Sequence, residues 1–345
     1  MIDRRVLVDV DRKADDLTGR LAAHPHAEGF IQPQRLPADA EKAQPGGGSR
    51  QQGEEEKSAS QHGSPQERDG LYFFVSAYII IIIGTFTMPI KQSICFPMMQ
   101  PLPDPLPVFF EKAAQMGFVA VEIWQRDEHF DALCELARSR GLRVASFVGH
   151  DSIASGFNDP AQHERICAEL RDSIDAAARA GVPGVICFSG NVRPGQSGEA
   201  AIEACAAGLR LIAPYAEAKG VNLNMELLNS IVDHPGYQCD RSAWGLEVVR
   251  RVNSPRVKLL FDIYHMQIME GNLIQTIHEN IQWIGHFHTA GVPGRSDIDD
   301  SQEVNYRAVC KAIAEAGYDL YVGHEYKPSG ELYASLRTAY QICDV

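Results

Sequence analysis

From residue 88 onward, short apolar runs alternate with longer segments whose apolar residues recur every three or four positions. The first pattern is that of strands buried on both faces, the second that of amphipathic helices. Strands are predicted at 93–96, 120–123, 143–147, 184–188, 222–226, 257–262, 283–288 and 320–325. Helices are predicted between them at 106–116, 130–140, 160–180, 198–219, 242–252, 273–280, 305–316 and 331–342. Gly117, Gly141, Gly181, Gly220 and Gly317 stand where helices stop ahead of the next strand, the place of a left-handed C-terminal cap. Pro160 and Pro328 mark helix entries. Eight such units match a (β/α)8 barrel of about 250 residues. The alternative, a doubly wound open sheet, lacks its Gly-rich phosphate fingerprint after the first strand. The expected fold is α/β, a (β/α)8 TIM barrel over 88–345 preceded by a disordered N-terminal extension.

The pattern is absent upstream. Residues 1–70 are rich in Gln, Gly, Pro, Glu and Arg and cannot bury enough apolar surface to offset the entropy of ordering, so disorder is expected. Residues 71–87 are apolar and, with their trailing part, just reach the roughly 18 to 20 residues of a bilayer span. No basic cluster flanks them, and the long polar stretch ahead of them does not fit a signal peptide. The expectation is that Met88 is the biological start and that the protein is cytoplasmic, a membrane being involved only if 71–88 is a real anchor.

Charge and cysteine content narrow the partners. A net charge of -13 argues against nucleic acid, whose phosphates need clustered Lys and Arg. The 8 Cys include no C-x-x-C pair and read as reduced, buried thiols. A small-molecule substrate is expected, and a homo-oligomer is compatible with the sequence.

The chemistry lies at the strand ends. Strand residues alternate between faces, so Asn222, Asn224 and Glu226 share one face of the fifth predicted strand, and Lys258, Leu260 and Asp262 one of the sixth. The seventh brings His286 and His288 together, and the eighth aligns Tyr321, Gly323 and Glu325. Singly, a strand-end carboxylate is more often a loop hydrogen-bonding group, and a strand-end His a satisfied core residue. Four ionisable groups on four consecutive strands of one rim point instead to a metal site: Glu226, Asp262, His288 and Glu325. This oxygen-rich set without thiols suits Mn²⁺ or Mg²⁺ and leaves positions for substrate. His150 after the third strand, Asn191 after the fourth and Glu122 at the second are further candidates for substrate contact or loop capping. Tyr264 and Trp124 are candidate pocket walls.

At these residues the chain resembles a known family. Phe261-Asp262-Ile263-Tyr264-His265-Met266, followed by His286-Phe287-His288, Val292-Pro293-Gly294-Arg295 and Gly323-His324-Glu325-Tyr326-Lys327-Pro328, is similar to the hydroxypyruvate isomerase family of the xylose isomerase-like TIM-barrel superfamily. The likeness runs from Met88 to the C-terminus. It implies that Glu226 and Glu325 bind the metal and exchange a substrate proton, and that Asp262 is a ligand only. It implies that His265 contacts substrate and that Arg295 approaches a substrate oxygen. Two departures stand out. His288 occupies a position where this family often has Gln and the related ketose 3-epimerases have His. Val232 stands where those epimerases carry an additional acid, which disfavours sugar epimerisation.

The implied reaction is isomerisation of a small α-hydroxycarbonyl compound through an enediolate, hydroxypyruvate to tartronate semialdehyde being the family's example. The alternatives on the same barrel are a sugar 3-epimerase, or a dehydratase of the inosose or dehydroshikimate type. A non-catalytic binding protein is disfavoured because all four ligand positions are filled. An endonuclease IV-type enzyme would need more His, whereas residues 296–300 are acidic and contain none.

Overall fold

The computed structural model describes residues 89–345, so the expectations for 1–70, for 71–87 and for Met88 lie outside the described residues. Eight strands follow in order: β1 Lys91–Cys95, β2 Ala120–Glu122, β3 Arg143–Val144, β4 Gly184–Cys187, β5 Asn222–Glu226, β6 Val257–Asp262, β7 Ile284–Thr289 and β8 Tyr321–His324. All pairings are parallel, in the order β3-β2-β1-β8-β7-β6-β5-β4. The two ends of that order meet through one isolated parallel bridge, Val148↔Ile186. Ile186 N–H donates to the Phe147 carbonyl and Gly149 N–H to the Ile186 carbonyl, which closes the barrel.

The helices are α1 Leu106–Met116, α2 Phe130–Ser139, α3 His163–Ala180, α4 Gly198–Lys219, α5 Ser242–Val252, α6 Ile263–Met269, α7 Leu273–Asn280, α8 Tyr306–Glu315 and α9 Leu332–Cys343. Their apolar faces bury residues such as Phe109, Leu170, Leu209, Val249 and Leu336 against the strands. Gly181 and Gly220 end α3 and α4 in the left-handed conformation expected of them. Among the described residues no helix is long and apolar enough to cross a membrane. All eight cysteines are free and buried.

Two departures from the predicted elements bear on the site. β3 is two residues long rather than five: beyond Val144, Ala145 N–H still reaches Val121 and Val148 N–H reaches Trp124 on the β2 side, but Gly149 N–H turns to Ile186 on β4. The short helix α6 begins at once after β6, capped by the Asp262 side chain accepting from His265 N–H at 3.1 Å. That cap turns the chain directly out of the strand, where the sequence pattern places the next helix only at residue 273.

Candidate active site

Strand register brings the four candidate ligands together. Asp262 pairs with His288 across β6 and β7, and His288 pairs with Gly323 across β7 and β8. Glu226 closes β5 opposite Leu260, and Glu325 follows directly on β8. One ligand atom from each of Glu226, Asp262, His288 and Glu325 lies within 4.8 Å of the others, and all four residues are buried. His288 Nδ1 is the hub: it lies 3.0 Å from Glu325, 3.5 Å from Glu226 and 3.9 Å from Asp262. Yet that buried nitrogen has no hydrogen-bond partner. Burial opposes a charge on this ring, but Glu325 and Glu122 outweigh burial and raise the imidazole, so the carboxylates already draw a cation to this point, and a divalent ion suits the same place. The donor set of three carboxylates and one imidazole therefore fits a metal.

The two glutamates differ in surroundings. Glu325 accepts from Arg295 at 2.6 Å and from Trp124 Nε1 at 3.1 Å. Burial works against its charge, but Arg295 and His288 outweigh burial and hold the carboxyl below its usual range. Glu226 has no such clamp. Burial, together with the charge of Glu325, pushes its carboxyl up, His288 opposing. Burial likewise lifts Asp262 to about 7, against the pull of Arg295 and His288.

The Arg295 side chain is only 13% exposed and lies over the Tyr264 ring at 5.6 Å. Its backbone adopts φ 53°, a left-handed conformation uncommon for a residue with a side chain. The Gly291↔Ser296 bridge and the Lys327 N–H bond to the Arg295 carbonyl hold it there. Strain of this kind collects where a side chain must be aimed.

His265 is fully buried, and burial with the charge of Arg295 keeps its ring neutral. Asn229 Nδ2 donates to its Nδ1 at 2.6 Å, so the proton resides on Nε2. That Nε2 lies 3.5 Å from Asp262 and has no hydrogen-bond partner. Sequence reasoning passed over His234, whose ring packs edge-on to His265 at 5.3 Å and whose buried Nε2 is also unpaired. Burial, then Arg295, hold His234 near 4, hence neutral. Val232 is exposed, but the next residue supplies an acid: Asp233 accepts from Tyr264 Oη at 2.8 Å and lies 3.9 Å from His265 Nδ1. Asn229 Oδ1 accepts from Val232 and Asp233 N–H and so sets the loop turn.

Three other candidates sit differently. His150 has both ring nitrogens occupied by backbone: Nε2 accepts from Phe188 N–H at 2.9 Å, and Nδ1 lies 3.0 Å from the Asp151 carbonyl. Burial holds it near 4, and its place is at the barrel's closing bridge. Asn191 pairs through its backbone with Tyr237 and accepts from Asn158 Nδ2 through its carbonyl. Glu122 is not a loop cap. It lies inside the barrel, 2.9 Å from His286 Nε2 and 3.0 Å from His288 Nε2.

The sequence matches the family model described as xylose isomerase-like TIM barrel over residues 110–341. It is 32% identical to the hydroxypyruvate isomerase of Escherichia coli over 240 residues, covering 66% of this chain and 90% of that one. It is 30% identical to the 2-oxo-tetronate isomerase of Pectobacterium atrosepticum over 228 residues, covering 64% and 86%. A putative human hydroxypyruvate isomerase is 28% identical over 258 residues, covering 72% and 93%. Among solved structures, an AP endonuclease of family 2 from Brucella melitensis superposes with a TM-score of 0.61 at 24% identity, over 72% of this chain and 97% of that one. The 3-keto-D-glucoside 4-epimerase YcjR of E. coli gives 0.61 at 20% identity, over 74% and 98%. These two likenesses speak to the fold alone. The family match and the curated relatives go further: the chain belongs to the xylose isomerase-like TIM barrel family, alongside the hydroxypyruvate isomerases, and is an isomerase.

Proposed function

We propose that the protein is a metal-dependent isomerase of a small α-hydroxycarbonyl substrate, acting through an enediolate. The observation that carries this reading is the unpaired His288 Nδ1 facing three buried carboxylates on neighbouring strands. Glu226, Asp262, His288 and Glu325 would hold Mn²⁺ or Mg²⁺, whose charge would acidify the C–H beside the substrate carbonyl. Glu226, free of the clamp that fixes Glu325, takes that proton, and Glu325 or Glu226 delivers a proton to the adjacent carbon. The Nε2–H of His265, with His234 beside it, binds substrate oxygens and orients the reacting carbons. Arg295 keeps Glu325 ionised and offers its remaining donors to a substrate oxygen, a carboxylate being the best match for a guanidinium. The relatives named for hydroxypyruvate and 2-oxo-tetronate support such a substrate.

Asp233 favours a second reading, ketose epimerisation, because a carboxylate beside His265 suits a sugar hydroxyl. One assay separates the two. Protein loaded with Mn²⁺ or Mg²⁺ is incubated in D₂O with hydroxypyruvate, with 2-oxo-tetronate and with a panel of ketoses. Deuterium incorporation with aldose–ketose interconversion is expected. Epimer formation alone supports the second reading, loss of water indicates a dehydratase, and no exchange with any metal ends all three.

A further inference from the structure

Among the described residues, Glu122 is a buried acid that the proposed ligand set does not use, although it touches one of the ligands. It closes β2, yet its carboxylate reaches β7, three strands away around the sheet, with β1 and β8 between. Gly323 on the intervening β8 makes this crossing possible: a Cβ there would come within 2.0 Å of Glu122 Oε1. Glu122 is 1% exposed. Oε1 accepts from the Ser93 hydroxyl, and Oε2 accepts from both His286 Nε2 and His288 Nε2. Three donors converge on this carboxyl, which therefore serves as an acceptor.

An acceptor at Nε2 determines what the other nitrogen of His288 can do. With a metal bound the ring must be neutral; the proton bonded to Glu122 then sits on Nε2, and the lone pair is left on Nδ1, the atom that faces Glu226, Asp262 and Glu325. Without Glu122, the ring could carry its proton on Nδ1 and donate to Glu325 at 3.0 Å, which would occupy the ligand position. The Ser93 and His286 donors fix the rotation of the carboxylate itself. We propose that Glu122 is a positioning residue that selects the ligating tautomer and orientation of His288, and so governs how tightly the site holds its metal. The proposal rests on the reading of Glu226, Asp262, His288 and Glu325 as a metal site. Glu122, His286 and His288 also lie close enough together to hold an ion of their own, and that alternative is an outcome of the test.

The experiment begins with Mn²⁺ titrated into metal-free wild-type protein, with stoichiometry read by elemental analysis. No binding at all overturns the metal-site reading itself, and this proposal with it. One equivalent is expected, whereas two would make Glu122 a ligand and overturn the positioning role. Glu122→Gln keeps volume but loses the charge, and is expected to weaken Mn²⁺ binding about 10- to 100-fold. His286→Gln leaves the Glu122–His288 pair intact and is expected to change affinity far less. Unchanged affinity in a folded Glu122→Gln protein overturns the proposal while leaving the metal site standing. A second readout needs no variant. In Mg²⁺-loaded wild-type protein, long-range ¹⁵N spectra are expected to show His288 protonated on Nε2, and protonation on Nδ1 overturns the assignment.

Discussion

The two halves of the barrel finish their strands in different chemistry. β5 to β8 deliver Glu226, Asp262, His288 and Glu325 to one rim, held in register by continuous pairing. β1 to β4 end in Cys95, Glu122, Val144 and Cys187, and the closing bridge lies among them. The half named first, β5 to β8, carries the proposed metal and substrate site. The second half turns its polar groups toward that site or toward its own backbone: Trp124 donates to Glu325, Glu122 supports His288, and His150 holds the Phe188 amide. Active sites at the carboxyl ends of barrel strands draw on several strands, but the burden need not be shared equally.

The largest effect that can test this contrast is removal of metal. Chelation followed by dialysis is expected to reduce turnover to background, with recovery on adding Mn²⁺ or Mg²⁺. Full activity in protein shown by elemental analysis to be metal-free would remove the first half's assigned role. Next come Glu226→Gln and Glu325→Gln, each expected to lower kcat about 10³- to 10⁴-fold in folded protein. A variant at either position that keeps normal turnover excludes that residue from proton transfer. Arg295→Lys loses the forked contact to Glu325 and should lower kcat/KM by roughly 10- to 100-fold. An unchanged value would place Arg295 among structural residues.

A smaller effect is a pH dependence confined to the metal-free protein. Burial raises Asp262 from 3.8 to about 7, and Glu226 moves the same way. Between these values the folded chain holds protons that the unfolded chain has released, so stability falls as pH rises through the window. Glu122 and Glu325, shifted down, act in the opposite sense but only below the ordinary carboxylate range. Buried His150, His234, His265 and His324, all held below the usual imidazole value, act the opposite way as pH rises toward 6.5. The carboxyl contribution is therefore read against Asp262→Asn: the melting temperature of metal-free wild type relative to that variant should fall between pH 5 and pH 8, and an unchanged difference refutes it. The smallest effect on chemistry belongs to His150→Ala. It leaves the buried Phe188 amide unpaired and should cost about 1 to 3 kcal/mol of stability, with kcat/KM within about threefold. A large rise in KM without loss of stability would return His150 to the substrate pocket.

The same contrast explains what could be read from the sequence. The fold and the four candidate ligands were legible because each signal is local: an apolar strand, a period of two and an acid or His at its end. The shortness of β3 was not, because Ala145, Phe147 and Val148 are as apolar as strand residues and only their neighbours decide which bonds form. Asp233 and His234 were hidden by a loop whose turn depends on Asn229. Position 232 was weighed by its spacing from Glu226, whereas which residue of the loop approaches His265 depends on that turn. Glu122 was noticed as an acid at a strand end, but its partners lie 164 and 166 residues away in the chain. Sequence spacing carries no trace of such a contact. His150 had the signature of a rim residue, and its backbone bonds become visible only once β4 stands beside it.

Gly323 carries a consequence for inheritance. A methyl group at that position and a glutamate at 122 compete for one volume, so the two sites are not free to vary independently. Among related chains, a larger residue at the position of Gly323 should accompany a shorter or apolar one at that of Glu122, and His288 should then change partner or identity. The pair is a fingerprint split between the second and eighth strands, by which kin that support their histidine in this manner can be sorted from those that share only the four ligands.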